Sequence, residues 1–458
     1  MEPSLGDAAL REISNAVSTL EGAIASGPIT PKVTPEEIRD YLASRFDFRR
    51  PLPLDEVVGD VERMLRNWQV HVTHPRYFGL FNPSVTLASI VGDLLAAMYN
   101  PQLATWRTSP AANEVERHTL AWISSKLGLP EDSAATFTSG GAEANLSAIL
   151  VALTRAFPEY RECGLAGLAA RPAIYLTTET HVTFHKIAQM TGLGLRSLRT
   201  VATGSDLRMD AADLARRIAE DRKNGFAPLL VVGNAGTTAA ATIDPLPELA
   251  DFCRRENLWF HVDAAWGGAA AISPRLRPHL SGIERADSIT CDAHKWFSVP
   301  MGAGMFFCRR RDAVLEAFRT DNAIMPAQTD GVLDPYSTSV QWSRRFIGLK
   351  LFLALAHYGE SGYIEMIERQ ARLGDLLRDL LGRSGWEIVN SSPLPLVCFR
   401  RAGVDPAQFV ATLQQKGIAW MSAVKLSNGI HAARACITSI RTTEADIEHV
   451  VSAMGRLV

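Results

Sequence analysis

The 458 residues carry 47 Lys and Arg against 49 Asp and Glu, a net charge of -2 that offers no basic field for nucleic acid or anionic lipid. Hydrophobic residues at 47% and charged residues at 21% are ordinary globular values, and a chain this long is expected to fold as two or three domains. No run approaches the roughly 18 uncharged apolar residues of a membrane span, and the first residues lack a basic, apolar leader, so a cytoplasmic protein without membrane contact is expected.

The first element predicted is a helix within residues 1–30, ending at Gly27 and Pro28. A second begins after Thr34, an N-cap with Pro35 in the first helical position and Glu37 placed to close a capping box. A third covers "PLDEVVGDVERMLRNW". These helices, taken as an N-terminal arm over 1–88, are read either as a cap on the same chain or as a surface for a second subunit. From 89 to 345 helices alternate with apolar strands. The helix at 111–128 is followed by the strand "SAATFTS", the helix "AEANLSAILVALTRAF", the strand "RPAIYLTTETH" and the helix "HKIAQMTGL". A strand at 194–203, a helix capped by Asp210 or Asp213, the strand "APLLVVGNAG" and the helix "LPELADFCRRENL" come next. The strands "FHVDAAWGG" (260–268) and "ADSITCDAHKWF" (286–297) complete the pattern of a mostly parallel sheet covered on both faces. From 346 to 458 a long helix interrupted around Gly359 and Gly362 leads into a small α+β domain with an antiparallel sheet. The cysteines at 163, 253, 291, 308, 398 and 436 are scattered, which points to reduced thiols and no metal centre.

The chemistry concentrates at strand ends, where open α/β sheets bind ligands. Asp263 ends one apolar strand, and His294 and Lys295 follow another, with His294 expected to point away from Lys295 by strand alternation. A lysine that condenses with an aldehyde and a carboxylate that keeps a ring nitrogen protonated are the pair pyridoxal 5'-phosphate requires. Gly140 and Gly141, between a strand and a helix, let backbone N–H groups approach a phosphate at the positive helix end. The turn is not G-x-G-x-x-G and lacks the P-loop lysine, so dinucleotide and triphosphate sites are not supported. His181 stands at another strand end, where it can stack on a flat ring or act as a capping histidine. Thr237 and Thr238 occupy a strand-end turn, and Asp244 is read as a helix cap or a turn anchor. The segment 321–346, with Pro326, Gly331 and Pro335, has the look of a lid, and Tyr336 is its proton-carrying side chain.

Gly140, Gly141, Asp263, His294 and Lys295 sit in "SGGAEANL" (139–146), "HVDAAWGG" (261–268) and "DAHKWF" (292–297), and "HPRYFG" (74–79) precedes them. On all four in order, over roughly 35–455, the chain resembles the group II pyridoxal-phosphate-dependent amino acid decarboxylases. That resemblance implies an aspartate-aminotransferase-like (fold type I) α/β architecture with a seven-stranded, mostly parallel sheet and a homodimer. It implies that Lys295 is the Schiff-base lysine, Asp263 the ring-nitrogen partner, His181 the stacking residue and Ala265 a support beneath the ring. Gly140, Gly141, Ala142 and His294 would hold the phosphate, Thr237 would lie near the ring, and Tyr336 would be the proton donor on the lid. Arg441 matches an arginine near the substrate, and residues around 99–106 would complete the neighbouring subunit's site.

Two departures from the aromatic type stand out. Asp292 replaces an Asn near the phosphate and joins the cofactor set only if its charge is offset. Leu80 and Ala104 replace aromatic wall residues, leaving Phe78, Phe81 and Trp106 as apolar walls. Decarboxylation of an aromatic L-amino acid to its amine is the expected activity. Glutamate, aspartate or 2,4-diaminobutyrate as substrate, and an oxygen-dependent aldehyde synthase, are the alternatives; Tyr336 in place of Phe argues against the last.

Overall fold

The computed structural model of the chain describes residues 27–82, 84–320 and 331–457, together with Ser14 and Ile24. The helix expected within 1–30 falls almost wholly outside them, as does the 321–330 part of the expected lid with Pro326.

The helix Pro35–Arg45 starts as its sequence dictates. Thr34 Oγ1 accepts from the Glu37 N–H, and the Glu37 carboxylate accepts from the Thr34 N–H at 2.7 Å, closing the capping box. On the next helix, Leu54–Asn67, Leu54, Val58, Val61 and Leu65 recur at helical spacing and stay exposed. A further helix, Leu87–Tyr99, carries a second exposed stripe of Leu87, Ile90, Val91, Leu94 and Met98. Its other face packs against a later helix so closely that a Cβ on Gly92 would lie 2.7 Å from Lys350 Cα. That contact requires glycine.

Seven strands form the central sheet: β1 (Ala134–Thr138), β2 (Arg171–Thr177), β3 (Leu198–Val201), β4 (Phe226–Asn234), β5 (Trp259–Asp263), β6 (Ser288–Asp292) and β7 (Gly304–Cys308), in the order β1-β7-β6-β5-β4-β2-β3. The pairs from β3 through β6 are parallel, and β7 alone runs antiparallel to both its neighbours. Successive side chains feed opposite layers. Ile174, Leu176, Leu230 and Val232 join one buried cluster, while Ala173, Tyr175 and Val231 join the other. Both faces are covered, as the near-continuous apolar strands required. β7 is not anticipated by the sequence reading, because "GMFFC" follows the Lys295 turn with no alternation to mark it.

The small sheet has the order β10-β11-β9-β8, from β8 (Glu387–Ile388), β9 (Leu396–Arg400), β10 (Ser422–Lys425) and β11 (His431–Cys436), with every pair antiparallel. Val397, Phe399, Ala433 and Ala435 face a cluster with the helices Pro406–Gln415 and Glu444–Gly455. Leu396, Cys398, Ala432 and Cys436 face the central core instead. The long helix Leu349–Arg383 serves both, through Leu351, Ala354 and Ile367 centrally and Leu373, Leu377 and Leu381 in the small cluster. It breaks at Gly359 (φ 65, ψ 178), whereas Gly362 remains helical. Among the described residues no helix is long and apolar enough to cross a membrane.

Candidate active site

The parallel strands β4, β5 and β6 bring Asn234, Asp263 and Thr290 side by side, since Asn234 pairs with Asp263 and Asp263 with Thr290. Beyond these strand ends lies a cavity of about 300 Å³. Gly140, Gly141 and Ala142 line it from the start of the helix Gly141–Ala156, and His181 and Thr237 line it from the ends of β2 and β4. Asp263, Ala265, Asp292, His294, Lys295 and Phe81 complete the expected residues on its wall. Eleven residues from six separate stretches of sequence thus meet at one place.

Asp263 is a buried carboxylate whose Oδ2 accepts from Asn145 Nδ2 at 3.0 Å and whose Oδ1 accepts from the Ala265 N–H at 3.1 Å. Lys295 and His294 are not on a strand, as the alternation argument supposed. They stand in the turn after β6, and both side chains approach Asp292. Lys295 Nζ is 3.0 Å from Asp292 Oδ2, and His294 Nε2 is 3.7 Å from the same oxygen. His294 Nδ1 accepts from the Ala303 N–H at 3.0 Å, which leaves the proton of the neutral ring on Nε2. Burial lowers the His294 pKa, against the pull of Asp292. His181 is exposed because it faces the cavity. Desolvation by the surrounding protein lowers its pKa against the opposing charge of Asp263, and its Nδ1 accepts from the Thr183 N–H at 3.2 Å.

The glycine turn is tightest at Gly141. A Cβ on Gly141 would lie 2.9 Å from Asp292 Oδ2, and one on Gly140 would lie 3.4 Å from His294 Cε1. A helix N-terminus, an imidazole N–H, an amine and a buried carboxylate around such a cradle fit a phosphorylated aldehyde with a basic ring nitrogen. The turn is tied to the lid segment: Ser139 donates through N–H and hydroxyl to Glu143 Oε2, and Gln341 Nε2 donates to Glu143 Oε1 at 2.8 Å.

Thr237 turns its hydroxyl toward the Thr242 N–H, accepting at 3.0 Å. Asp244 is no helix cap: the helix Leu246–Glu256 has no side-chain cap, and Asp244 accepts instead from the N–H groups of Met209 and Asn234 and from Asn234 Nδ2. It anchors the end of β4, with burial raising its pKa.

The remaining expected residues lie off this cavity wall. Phe78 is buried in the small-domain cluster, Leu80 is 52% exposed, and Arg441 follows β11 with its N–H on Ser439 Oγ. Ala104, Trp106 and Tyr336 form one unit: the Tyr336 N–H donates to Ala104 O at 3.2 Å and the Trp106 N–H to Asp334 Oδ1 at 2.7 Å. The Tyr336 ring packs on Trp342.

Two groups escaped the sequence reading. Asn145, His261, Ser288 and Thr290 are hydrogen-bonded behind Asp263, and nothing in their spacing announces it. Arg434, at the centre of β11, is buried, with its guanidinium 4.8 Å over Phe81 and Nε donating to Thr238 O at 2.9 Å. Its Nη2 is buried without a partner. A lone arginine among the small apolar residues of "HAARAC" was the signal that marked it.

A family model described as the pyridoxal-dependent decarboxylase conserved domain matches residues 35–402. Tryptophan decarboxylase 2 of Oryza sativa subsp. japonica is 30% identical over 390 residues, covering 82% of this chain and 78% of that protein. An aromatic-L-amino-acid decarboxylase of Bacillus atrophaeus is 28% identical over 442 residues, 93% of this chain and 90% of that one. The crystal structure of Oryza sativa TDC with PLP and tryptamine superposes with a TM-score of 0.92 at 27% identity, covering 100% of this chain and 99% of that one. Mouse CSAD in apo form gives 0.90 at 25% identity, covering 98% of each chain. This chain belongs to the pyridoxal-dependent decarboxylase family and is a fold type I amino acid decarboxylase that uses pyridoxal 5'-phosphate.

Proposed function

We propose that the protein decarboxylates an aromatic L-amino acid to its amine. The observation that carries the site assignment is the convergence of Lys295, Asp263, His181 and the Gly140–Gly141 turn on one cavity. Bound there, pyridoxal 5'-phosphate supplies the electron sink for the bond to the departing carboxylate. Lys295 is the amine that condenses with the cofactor aldehyde. Asp263, held by Asn145 and the Ala265 N–H, would keep the ring nitrogen protonated. Ala265, His181 and Thr237, all on the cavity wall, would hold the ring. The N–H groups opening the helix at Gly141 and the Nε2–H of His294 hold the phosphate, with Asp292 beside them.

Substrate orientation is assigned to the side where Phe81 lies stacked on Trp266 at 4.6 Å. The unpartnered Nη2 of Arg434, over Phe81, suits the substrate carboxylate. An aromatic side chain is supported by the tryptophan and aromatic-L-amino-acid decarboxylases among the relatives.

The protein acts as a homodimer in this reading. Ala104, Trp106 and Tyr336, bonded as one unit away from this chain's cavity wall, complete the partner subunit's site, where Tyr336 delivers the proton to carbon. The exposed stripes of the helices Leu54–Asn67 and Leu87–Tyr99 support it, being too apolar for solvent. Six free cysteines, five of them buried, support a reducing compartment such as the cytoplasm.

The test is carbon dioxide release and product identity across tryptophan, tyrosine, DOPA, phenylalanine, histidine, glutamate, aspartate and 2,4-diaminobutyrate, under air and under argon. Amine from one or more of the first four is expected. Turnover confined to the acidic pair or to diaminobutyrate overturns the aromatic substrate, and aldehyde with ammonia under air overturns the amine product.

A further inference from the structure

Behind Asp263 runs a buried chain of hydrogen bonds through two strands and a helix. Asn145 Nδ2 donates to Asp263 Oδ2 at 3.0 Å, and Asn145 Oδ1 lies 2.9 Å from His261 Nε2 and 2.6 Å from Thr290 Oγ1. His261 Nδ1 is 2.9 Å from Ser288 Oγ, which accepts from Trp259 Nε1 at 2.8 Å. All five residues behind the carboxylate are buried.

The direction of every bond is forced. A carboxylate oxygen only accepts, so Asn145 turns its amide nitrogen to Asp263 and its oxygen to His261 and Thr290. That oxygen in turn needs donors, so the His261 proton sits on Nε2. Burial pushes the His261 pKa down to about 4, against the opposing charge of Asp263, so the ring is neutral above that range and Nδ1 is an acceptor. The Ser288 hydroxyl therefore donates to Nδ1, and its oxygen takes the indole N–H, a donor only. Four donors in series point toward Asp263, with Thr290 as a fifth from the side.

We propose that Asn145, His261, Thr290, Ser288 and Trp259 are positioning residues that fix the Asp263 carboxylate for the cofactor ring nitrogen. A single tautomer of His261 sets the Asn145 amide, and the amide sets which carboxylate oxygen is held and which faces the cavity. For this to matter, Asp263 must meet the ring nitrogen, as assigned above. Packing alone would be served by any residues of the same shape. The relay requires the donor at Nε2.

The test compares apo protein with the variants His261→Leu, His261→Gln, Thr290→Val and Asp263→Asn. Each is titrated with pyridoxal 5'-phosphate for Kd, and the pH midpoint of the bound cofactor's visible absorbance is recorded. His261→Leu and Thr290→Val are expected to weaken Kd about tenfold, the effect of leaving one buried hydrogen-bonding group unpaired, and to move the midpoint by about half a pH unit or more. His261→Gln keeps an N–H in place of Nε2–H and is expected to stay within about threefold of the parent in Kd. Matching Kd and midpoint in His261→Leu and Thr290→Val, or equal impairment of His261→Gln and His261→Leu, overturns the relay. If His261→Leu does not fold, Thr290→Val, which keeps the side-chain shape, decides alone. Asp263→Asn separates the two levels: parent-like binding and spectrum there remove the Asp263 assignment and the relay together. Impairment confined to Asp263→Asn removes the relay only.

Discussion

Asp292 brings a carboxylate to the place where the proposed cofactor phosphate would sit. It is buried, its Oδ2 is 3.0 Å from Lys295 Nζ, and its Oδ1 has no hydrogen-bond partner. Two anionic groups at this range repel by several kcal/mol at an effective dielectric constant of about 20, unless neighbouring cations and dipoles offset them. Lys295 Nζ, the helix start at Gly141 and the His294 N–H are the offsets available. Asp292→Asn is therefore expected to bind pyridoxal 5'-phosphate about tenfold more tightly or better. Fluorescence titration of the apo protein checks it, and weaker binding would instead make Asp292 a phosphate ligand through a shared proton. At this scale the sequence was legible where a polar residue ends an apolar run and begins a turn of small residues, as at Asp263 and Lys295. His261 lies between Phe260 and Val262 and reads as core. Its role comes from the register that sets β5 against β6, and no local pattern carries that register.

Among the elements, helices with strong end signals and strands flanked by helices were legible, and β7 and β10 were not. Thr34, Asp210, Asp405 and Thr443 all cap helices through their side chains, in keeping with residue chemistry that acts over three or four positions. β10 is four residues at a sheet edge, and β7 depends on antiparallel pairing with β6 just before it and with β1, far away in sequence. Both owe their existence to tertiary contacts. The break in the long helix was placed at two glycines because either permits it, and the backbone uses only Gly359. At φ 65 and ψ 178 this residue occupies a region that is essentially reserved for glycine. No heavy atom lies within 4 Å of a Cβ built there, so substitution brings no clash. Gly359→Ala is thus expected to cost about 1–3 kcal/mol purely through backbone strain, whereas Gly382→Ala, at a helical position equally free of clashes, should be neutral or slightly stabilising. Denaturant melts of the two variants separate strain from packing; equal stability would show that the break relaxes at little cost.

The whole molecule divides its chemistry unevenly between what one chain holds and what it leaves outward. Every group assigned to the cofactor lines one chain's cavity, yet Ala104, Trp106 and Tyr336 are bonded together elsewhere. The resemblance assigned residues around 99–106 to the neighbouring subunit's site but left open which subunit Tyr336 serves, because a surface position and a partner's wall look alike along the chain. The stripe of Leu87, Ile90, Val91, Leu94 and Met98 is the physical clue, an apolar helix face that pairing with a second copy would bury. A charge placed in it must be desolvated on association, so Leu94→Glu is expected to weaken dimerisation by about a hundredfold or more. If the proposed division of labour holds, this monomeric variant still condenses Lys295 with pyridoxal 5'-phosphate and shows the bound-cofactor absorbance. It should lose most turnover, since the lid tyrosine and the apolar wall of the partner are missing. Sedimentation equilibrium, cofactor titration and carbon dioxide release on one preparation read the three properties separately. A monomer with parental turnover would return Tyr336 and Trp106 to their own chain's site, reached by movement of the segment that carries them.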